Sequence, residues 1–304
     1  MKRIEALNKA IQDSINTVAT AVKMPLYEPE YNAAFVLELP RRLNSIGEFK
    51  SIRFAGCFIH QSPIASFSGK IAKPARCEIG DLLVITRTTI DGDDRFNAAI
   101  IQWKVSTSFP CVLSSPGELK QLDLYEHWPI FSLSSKGGTF DIYPKTVTPG
   151  AQYGLILPDV QTVINCMIPS SNLDLVGSVS FARFIINMMK WHTGRPFDYN
   201  SNNSSDSWSR LINKLISASL SKKFTLKRIS LGGHTGKFPR ATPDFLSFLL
   251  DQETIAIFDD NTDNNAISIL FIDMGPEPYE KRQAPRIDRQ DRLRRKNKSQ
   301  AWED

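Results

Sequence analysis

Two apolar stretches on either side of an Asp-Gly turn limit what this chain can fold into. Residues Asp81–Arg87 and Asn97–Val105 are nearly continuous in apolar and β-branched side chains. That is the pattern of strands covered on both faces, not of a sheet with one side in water. Asp91-Gly92-Asp93-Asp94 stands between them as a strong turn signal. Such a hairpin needs a layer on each side, and helical patterns are available. Ile4, Leu7, Ile11, Ile15, Val18 and Val22 recur at steps of three and four, predicting a helix over 3–23. Pro25–Pro29 breaks it, and Pro29 suits the first turn of a second helix carrying Tyr31, Phe35, Leu39 and Leu43. Pro40 must kink or shorten that helix. The expected class is α/β (α+β), with a mixed central sheet flanked by helices.

Ile52–Ile59 reads as a further strand. Past residue 145 the pattern turns to helices and a hairpin. Residues 178–193 look helical up to Gly194, and Asn200–Ser205 is a polar loop. Asp206 or Ser207 can cap an amphipathic helix with Trp208, Leu211, Ile212, Leu215 and Ile216 on one side. Residues 223–230 look like a strand, and Pro243 opens a helix to about Leu250. Strands are expected at Thr254–Phe258 and Ile267–Asp273, around an Asp/Asn-rich loop at Asp259–Asn265. There is no internal repeat. The chain divides into a core (1–145), an extension completing the same domain (146–278) and a basic, disordered tail (279–304).

Composition excludes several classes. At 41% hydrophobic residues and 304 residues, the chain can build a full core. Cys57, Cys77, Cys111 and Cys166 form no C-x-x-C pair, and the four histidines form no H-x-x-x-H, so neither a zinc site nor a disulfide framework is suggested. Reduced thiols suit a cytoplasmic protein. No apolar run reaches the roughly 18 residues of a membrane span, and the charged N-terminus is not a signal peptide. The net charge of +5 is concentrated in one place. Residues 280–298 carry Lys281, Arg282, Arg286, Arg289, Arg292, Arg294, Arg295, Lys296 and Lys298 against Glu280, Asp288 and Asp291, so the rest of the chain sums to −1. This tail either binds phosphate backbones through counterion release or simply keeps the chain soluble.

The chemistry is concentrated at the ends of the two apolar strands. Gln102 and Lys104 are two apart and share a face, while Ile101, Trp103 and Val105 take the other. A hairpin centred between Gly92 and Asp93 places Asp81 opposite Lys104, within cross-strand reach of Gln102; a bulge would shift the register and flip the face. Asp81 offers a hard anionic oxygen, Gln102 an amide oxygen, and the Trp103 carbonyl a third ligand. Mg²⁺ (or Mn²⁺) favours such oxygens and keeps several waters. Lys104 would orient an attacking water and neutralise charge developing on a phosphate.

These residues resemble the PD-(D/E)xK nuclease superfamily, in the branch where Gln replaces the second acid, as in Mrr-like restriction endonucleases. Gly80-Asp81 matches the first catalytic strand, and Gln102-Trp103-Lys104 matches Q-x-K. The resemblance implies a carboxylate from the first core helix, with Glu30 or Glu38 as candidates, or Glu78 in its place. Gln121-Leu122-Asp123-Leu124-Tyr125-Glu126-His127-Trp128-Pro129 is similar to a block that follows the Q-x-K strand in some bacterial nuclease-like families. The likeness covers about residues 28–130. It implies a restriction-endonuclease-like core, Mg²⁺-dependent hydrolysis of DNA, and a role in bacterial restriction or anti-phage defence, with a partner protein, an activating signal or homo-oligomerisation left open. The rival expectation is a weak or inactive nuclease-like fold that binds nucleic acid or serves as a subunit of a larger complex.

Other signals point elsewhere. Gly232-Gly233-His234-Thr235-Gly236-Lys237 lacks the first Gly and the final Ser/Thr of a phosphate loop, and Pro239 blocks the helix that should follow. It reads as a flexible loop whose basic face (Lys227, Arg228, Lys237, Arg240) suits nucleic acid. Asp259–Asn265 lacks the central Gly and terminal Glu of a calcium loop. No G-x-S-x-G supports a serine nucleophile. His192 reads as a surface or capping residue.

Overall fold

The structure, a computed structural model, describes residues 2–21, 28–59, 63–70, 73–133, 138–157, 162–166, 173–175, 177–199, 205–221, 227–231, 234–238 and 266–276. Helices α1 (Lys2–Ala21) and α2 (Glu28–Asn44) lead into β1 (Arg53–Cys57), β2 (Ile64–Phe67) and β3 (Ala75–Glu78). The hairpin β4 (Leu82–Ile90) and β5 (Asp93–Val105) follows, then β6 (Cys111–Val112) and α3 (Pro116–His127). The chain continues through β7 (Phe131–Leu133), β8 (Thr139–Phe140), β9 (Ala151–Leu157) and β10 (Thr162–Cys166). Next come β11 (Asp174–Leu175), β12 (Gly177–Ser180), α4 (Phe181–Met189), β13 (Arg195–Phe197) and α5 (Ser207–Ser221). The last described elements are β14 (Lys227–Leu231), β15 (His234–Phe238) and β16 (Ser268–Pro276).

The class is mixed α+β. The central sheet runs β1-β16-β4-β5-β9-β10-β12, with β13 also on β5. β4 and β5 pair antiparallel, while β9 lies parallel to β5 and β16 parallel to β4. Both of these parallel strands come from beyond residue 145. A smaller sheet, β3-β2-β7-β8, packs beside it.

The all-apolar strands divide their side chains between two cores, as the period of two requires. Leu82, Val84, Ala99, Ile101, Trp103, Leu270 and Ile272 join α1, α2 and α4. Leu83, Ile85, Ala98, Ile100, Ile269 and Phe271 join α3, α5 and the smaller sheet. Tyr31, Phe35, Leu39 and Leu43 are all buried, so α2 presents the predicted face. Pro40 stays inside α2, which runs four residues further. Trp103 stacks on Phe35 at a centroid distance of 5.3 Å and meets Phe181 at 5.0 Å, locking α2 and α4 to the hairpin.

Three expectations are corrected. The hairpin turn is two residues long, Asp91-Gly92, with φ of 55° and 86°; two positive φ values suit the twist of paired strands. Asp93 and Asp94 therefore belong to β5, and Leu82 pairs with Ile101. Asp81 stands level with Gln102 instead of Lys104, a two-residue shift that leaves the face unchanged. Residues 177–180 form β12, and α4 begins at Phe181 because Ser180 caps it, accepting a hydrogen bond from the Arg183 amide. Lys227–Leu231 falls on the strand expected over 223–230, but His234–Phe238 pairs with it as a second strand of an antiparallel hairpin where a flexible loop is expected. The α5 prediction holds: Asp206 accepts from the Trp208 and Ser209 amides, and the five apolar residues are buried. Most of 200–205, the Pro243–Leu250 helix, the Thr254–Phe258 strand, the Asp259–Asn265 loop and the 279–304 tail lie outside the described residues.

Candidate active site

The end of β5 and the start of β4 open into a cleft of about 540 Å³, lined by Glu28, Arg76, Glu78, Gln102, Lys104, Glu118 and Gln121, among others. The backbone sets it up. Gly80, immediately before Asp81, has φ of 154°, and a Cβ there would meet Ile100 Cγ2 at 2.3 Å. Only glycine allows the chain to come this close as it turns into β4. The Asp81 amide then donates to the Ile101 carbonyl at 2.9 Å. Asn32 of α2 locks the same point from the other side: its amide donates to the Asp81 carbonyl at 2.8 Å and to Ser268 Oγ at 3.0 Å. The Trp103 indole donates to Asn32 Oδ1 at 3.3 Å.

Asp81 Oδ2 accepts the Trp103 amide at 2.8 Å and also a hydrogen bond from Gln102 Nε2. The Gln102 amide thus turns its NH₂ to Asp81, while its oxygen accepts from Gln121 Nε2. Gln121 Nε2 also donates to the Glu78 carbonyl at 3.1 Å. The Trp103 carbonyl, expected as a ligand, accepts a 3.3 Å hydrogen bond from Gln102 Nε2. Lys104, mostly buried, forms an ion pair with Glu118 at 3.6 Å.

Gln102, Lys104 and Glu78 therefore line one cleft, while Asp81 lies behind its wall, bonded to Gln102 and to the Trp103 amide. Of the helix candidates, Glu38 pairs with Arg41 at 2.7 Å, one helical turn on. Glu30 lies in α2, and its side chain is outside the described residues. The helix carboxylate that reaches the cleft is Glu28, accepting a hydrogen bond from the Val105 backbone and facing Lys104. A helix started at Pro29 leaves Glu28 outside, which hides it; α2 includes it.

Gln121, Glu118 and Asn32 are also absent from the predicted site. Gln121 and Tyr125 lie in the quoted block, and Ser115-x-x-Glu118 is a capping-box signal that could have started α3. Nothing local marks Asn32, whose partners are 49 and 236 positions away.

The electrostatics are those of crowded carboxylates. The Asp81 carboxyl is raised to about 8: burial pushes it up, Glu28 and Glu78 add to this, and the Trp103 amide and Lys104 pull against them. Burial also raises Glu28, with Lys104 opposing and Glu78 and Glu118 reinforcing. Among the described residues, no three His, Cys, Asp or Glu side chains converge closely enough to enclose an ion. An ion here would rely on one or two carboxylates, amide or backbone oxygens and water, as Mg²⁺ commonly does. Gln102 turns its NH₂ toward Asp81 and the Trp103 carbonyl and its oxygen toward Gln121, so these oxygens would hold a cation together only with the Gln102 amide turned over. Glu28 and Glu78 raise the pKa of Asp81, a repulsion that a divalent charge would offset.

No protein-family model, curated protein or solved structure matches this chain.

Proposed function

We propose that this protein is a metal-dependent nuclease of the PD-(D/E)xK type with an Asp…Gln-x-Lys site, hydrolysing phosphodiester bonds of DNA. One observation carries the reading: Gln102, Lys104 and the α2 carboxylate Glu28 line one cleft at the end of a buried hairpin, and Asp81 sits directly behind its wall, hydrogen-bonded to Gln102. The order around it supports the same reading, with a helix, the hairpin, a second helix (α3) and then β9 parallel to the Q-x-K strand.

Asp81, Gln102 and the Trp103 carbonyl would hold the cation, with Glu28 and Glu78 adding negative potential around it. A bound Mg²⁺ or Mn²⁺ would polarise the phosphate and lower the pKa of a coordinated water. Lys104, two residues beyond Gln102 on the same face, would neutralise charge on the phosphate in the transition state. The buried wall formed by Ile79, Tyr125 and Gln121 limits bulk water on one side, which strengthens each of these interactions. A cytoplasmic role in restriction or anti-phage defence follows only by analogy with other hosts of this core.

A second reading rests on the hydrogen bonds of Gln102. Its amide is engaged on both sides, by Asp81 and by Gln121, so the cluster would also serve as a closed polar brace in an inactive, nucleic-acid-binding or structural subunit. Among the described residues, no helix is long and apolar enough to cross a membrane.

The deciding experiment incubates supercoiled plasmid, single-stranded DNA and RNA with the protein in Mg²⁺ or Mn²⁺, beside Asp81→Ala and Lys104→Ala. Metal-dependent cutting of DNA that both substitutions abolish supports the nuclease. Folded wild-type protein that cuts none of the polymers sinks it in favour of the brace.

A further inference from the structure

Helix α3 faces the catalytic hairpin with a stripe of three side chains, one for each turn of helix. Glu118 pairs with Lys104, Gln121 donates to Gln102, and Tyr125 Oη donates to the Ile79 carbonyl at 2.6 Å. Positions separated by three and four share a helix face, so the spacing lets one rigid element grip two points of β5 and the segment that leads into β4. The Glu118 contact is the one that touches a charged cleft residue.

Glu118 is not free to wander. It is the third residue of α3, and its Oε2 accepts the Ser114 amide at 3.1 Å and the Ser115 amide at 2.9 Å, while Ser115 Oγ accepts the Glu118 amide at 3.3 Å. This reciprocal capping box fixes the carboxylate against the backbone. The other oxygen, Oε1, is the one that meets Lys104 Nζ. Burial pushes the Glu118 carboxyl up, but hydrogen bonds from Ser115 and Ser114 together with Lys104 outweigh it and hold it below the usual carboxylate range. A capping box needs only one oxygen. Gln serves at this position as well as Glu, so the charge turned toward Lys104 is not required by the helix.

We propose that Glu118 is a positioning residue, which uses its capped, immobile carboxylate to hold the Lys104 ammonium at its place in the cleft. Whether Lys104 then acts on a phosphate rests on the nuclease reading; that Glu118 holds it does not. A long, flexible lysine loses several rotamers when it is held. Displacing a reacting group by about 1 Å can cost on the order of a hundredfold in rate.

The test compares Glu118→Gln with Glu118→Ala in the full-length protein, using two readouts. The first is kcat and KM for DNA cleavage. The second is the NMR signal of Lys104 after reductive ¹³C-methylation, assigned by its loss in Lys104→Arg. The expected result is that Glu118→Gln melts within a degree or two of wild type because the cap is kept. It nevertheless loses kcat about tenfold or more with KM nearly unchanged, and the Lys104 methyl signals collapse to those of an exposed lysine. Glu118→Ala should lose kcat to the same extent and also melt lower. If Glu118→Gln keeps wild-type kcat and wild-type Lys104 signals, Glu118 is only a helix cap and the proposal fails. Should wild type cut nothing, the NMR comparison still decides: collapsed signals uphold the positioning contact while the nuclease reading falls, and unchanged signals overturn the contact itself.

Discussion

Asp81 leads into β4, and Asp273 sits far along the neighbouring parallel strand β16, beside Arg87 near the other end of β4. Asp273 is buried and Asp81 half-buried, yet their surroundings drive them in opposite directions. Burial pushes Asp273 up, but hydrogen bonds from Arg87, the Gly275 amide and Arg53 outweigh it, and its carboxyl stays below the usual range. The ion pairs are close, 2.7 Å to Arg53 and 2.9 Å to Arg87. At Asp81 burial is reinforced by Glu28 and Glu78, and Lys104 does not compensate. One end of the sheet has a carboxylate with its charge fully answered. The other gathers carboxylates beside one lysine in an open cleft. A carboxyl whose pKa is raised by burial and by neighbouring carboxylates is what a binding or catalytic site is expected to show.

The sharpest way to break this contrast is Asp81→Asn. At pH 8 it should abolish cleavage and yet raise stability, by at most about 5 kcal/mol, because a raised folded-state pKa makes the ionised group a burden. The pH dependence carries the sign. The Asp81 contribution is fully present below about pH 4 and is lost as pH rises toward about 8. The melting-temperature gap between variant and wild type should therefore be small at pH 4 and grow to pH 8. Added Mg²⁺ should raise the wild-type melting temperature at pH 8 and close much of that gap. A variant that melts lower than wild type at pH 8 would remove the distinction between the two ends.

Asp273→Ala should do the reverse, leaving Arg87 (13% exposed) without its main partner. A loss of about 3–5 kcal/mol is expected at pH 7, with cleavage per folded molecule unchanged. Because the folded pKa of Asp273 is lowered, its stabilising contribution is present above about pH 4 and disappears at lower pH. The deficit of the variant, followed by thermal melting, should shrink as the pH falls below the usual carboxylate range.

Gly80→Ala joins the two properties. The added methyl has to displace Ile100, so about 1–3 kcal/mol should be lost, together with much of the activity as Asp81 shifts. Undiminished cleavage would mean that the Gly80-Asp81 geometry does not matter. The smallest effect is expected at Glu38→Gln. Its partner Arg41 is 72% exposed, so stability should change by less than about 0.5 kcal/mol and activity not at all. Glu28→Gln, in contrast, should lower cleavage clearly; equal behaviour of the two would undo the assignment of the helix carboxylate.

Much of the hairpin was legible before any coordinates. Gln102 and Lys104 share a face because strand side chains alternate, a property of the local chain. The apolar runs implied cover on both faces, and α2 and α3 supply it. The register differs by two residues from the one the turn signal predicts, since Asp91-Gly92-Asp93-Asp94 contains more turn-formers than the two-residue turn uses. Glu28 was hidden by a helix boundary and Asn32 by the distance to its partners.

The sequence by itself determined the local geometry: a turn within Asp91–Asp94, the two-faced strands, the α2 stripe of Tyr31, Phe35, Leu39 and Leu43, and the common face of Gln102 and Lys104. These follow from torsional preferences and from periods of two and 3.6, which act over a few residues. Only the tertiary structure decided that β16 inserts between β1 and β4, that Asn32 ties Asp81 to Ser268, and that α3 lays Glu118 and Gln121 over the Q-x-K strand. Those contacts join segments tens to hundreds of residues apart. They are selected by which packing buries the most apolar surface while leaving each polar group a partner, and no short stretch of chain encodes that choice.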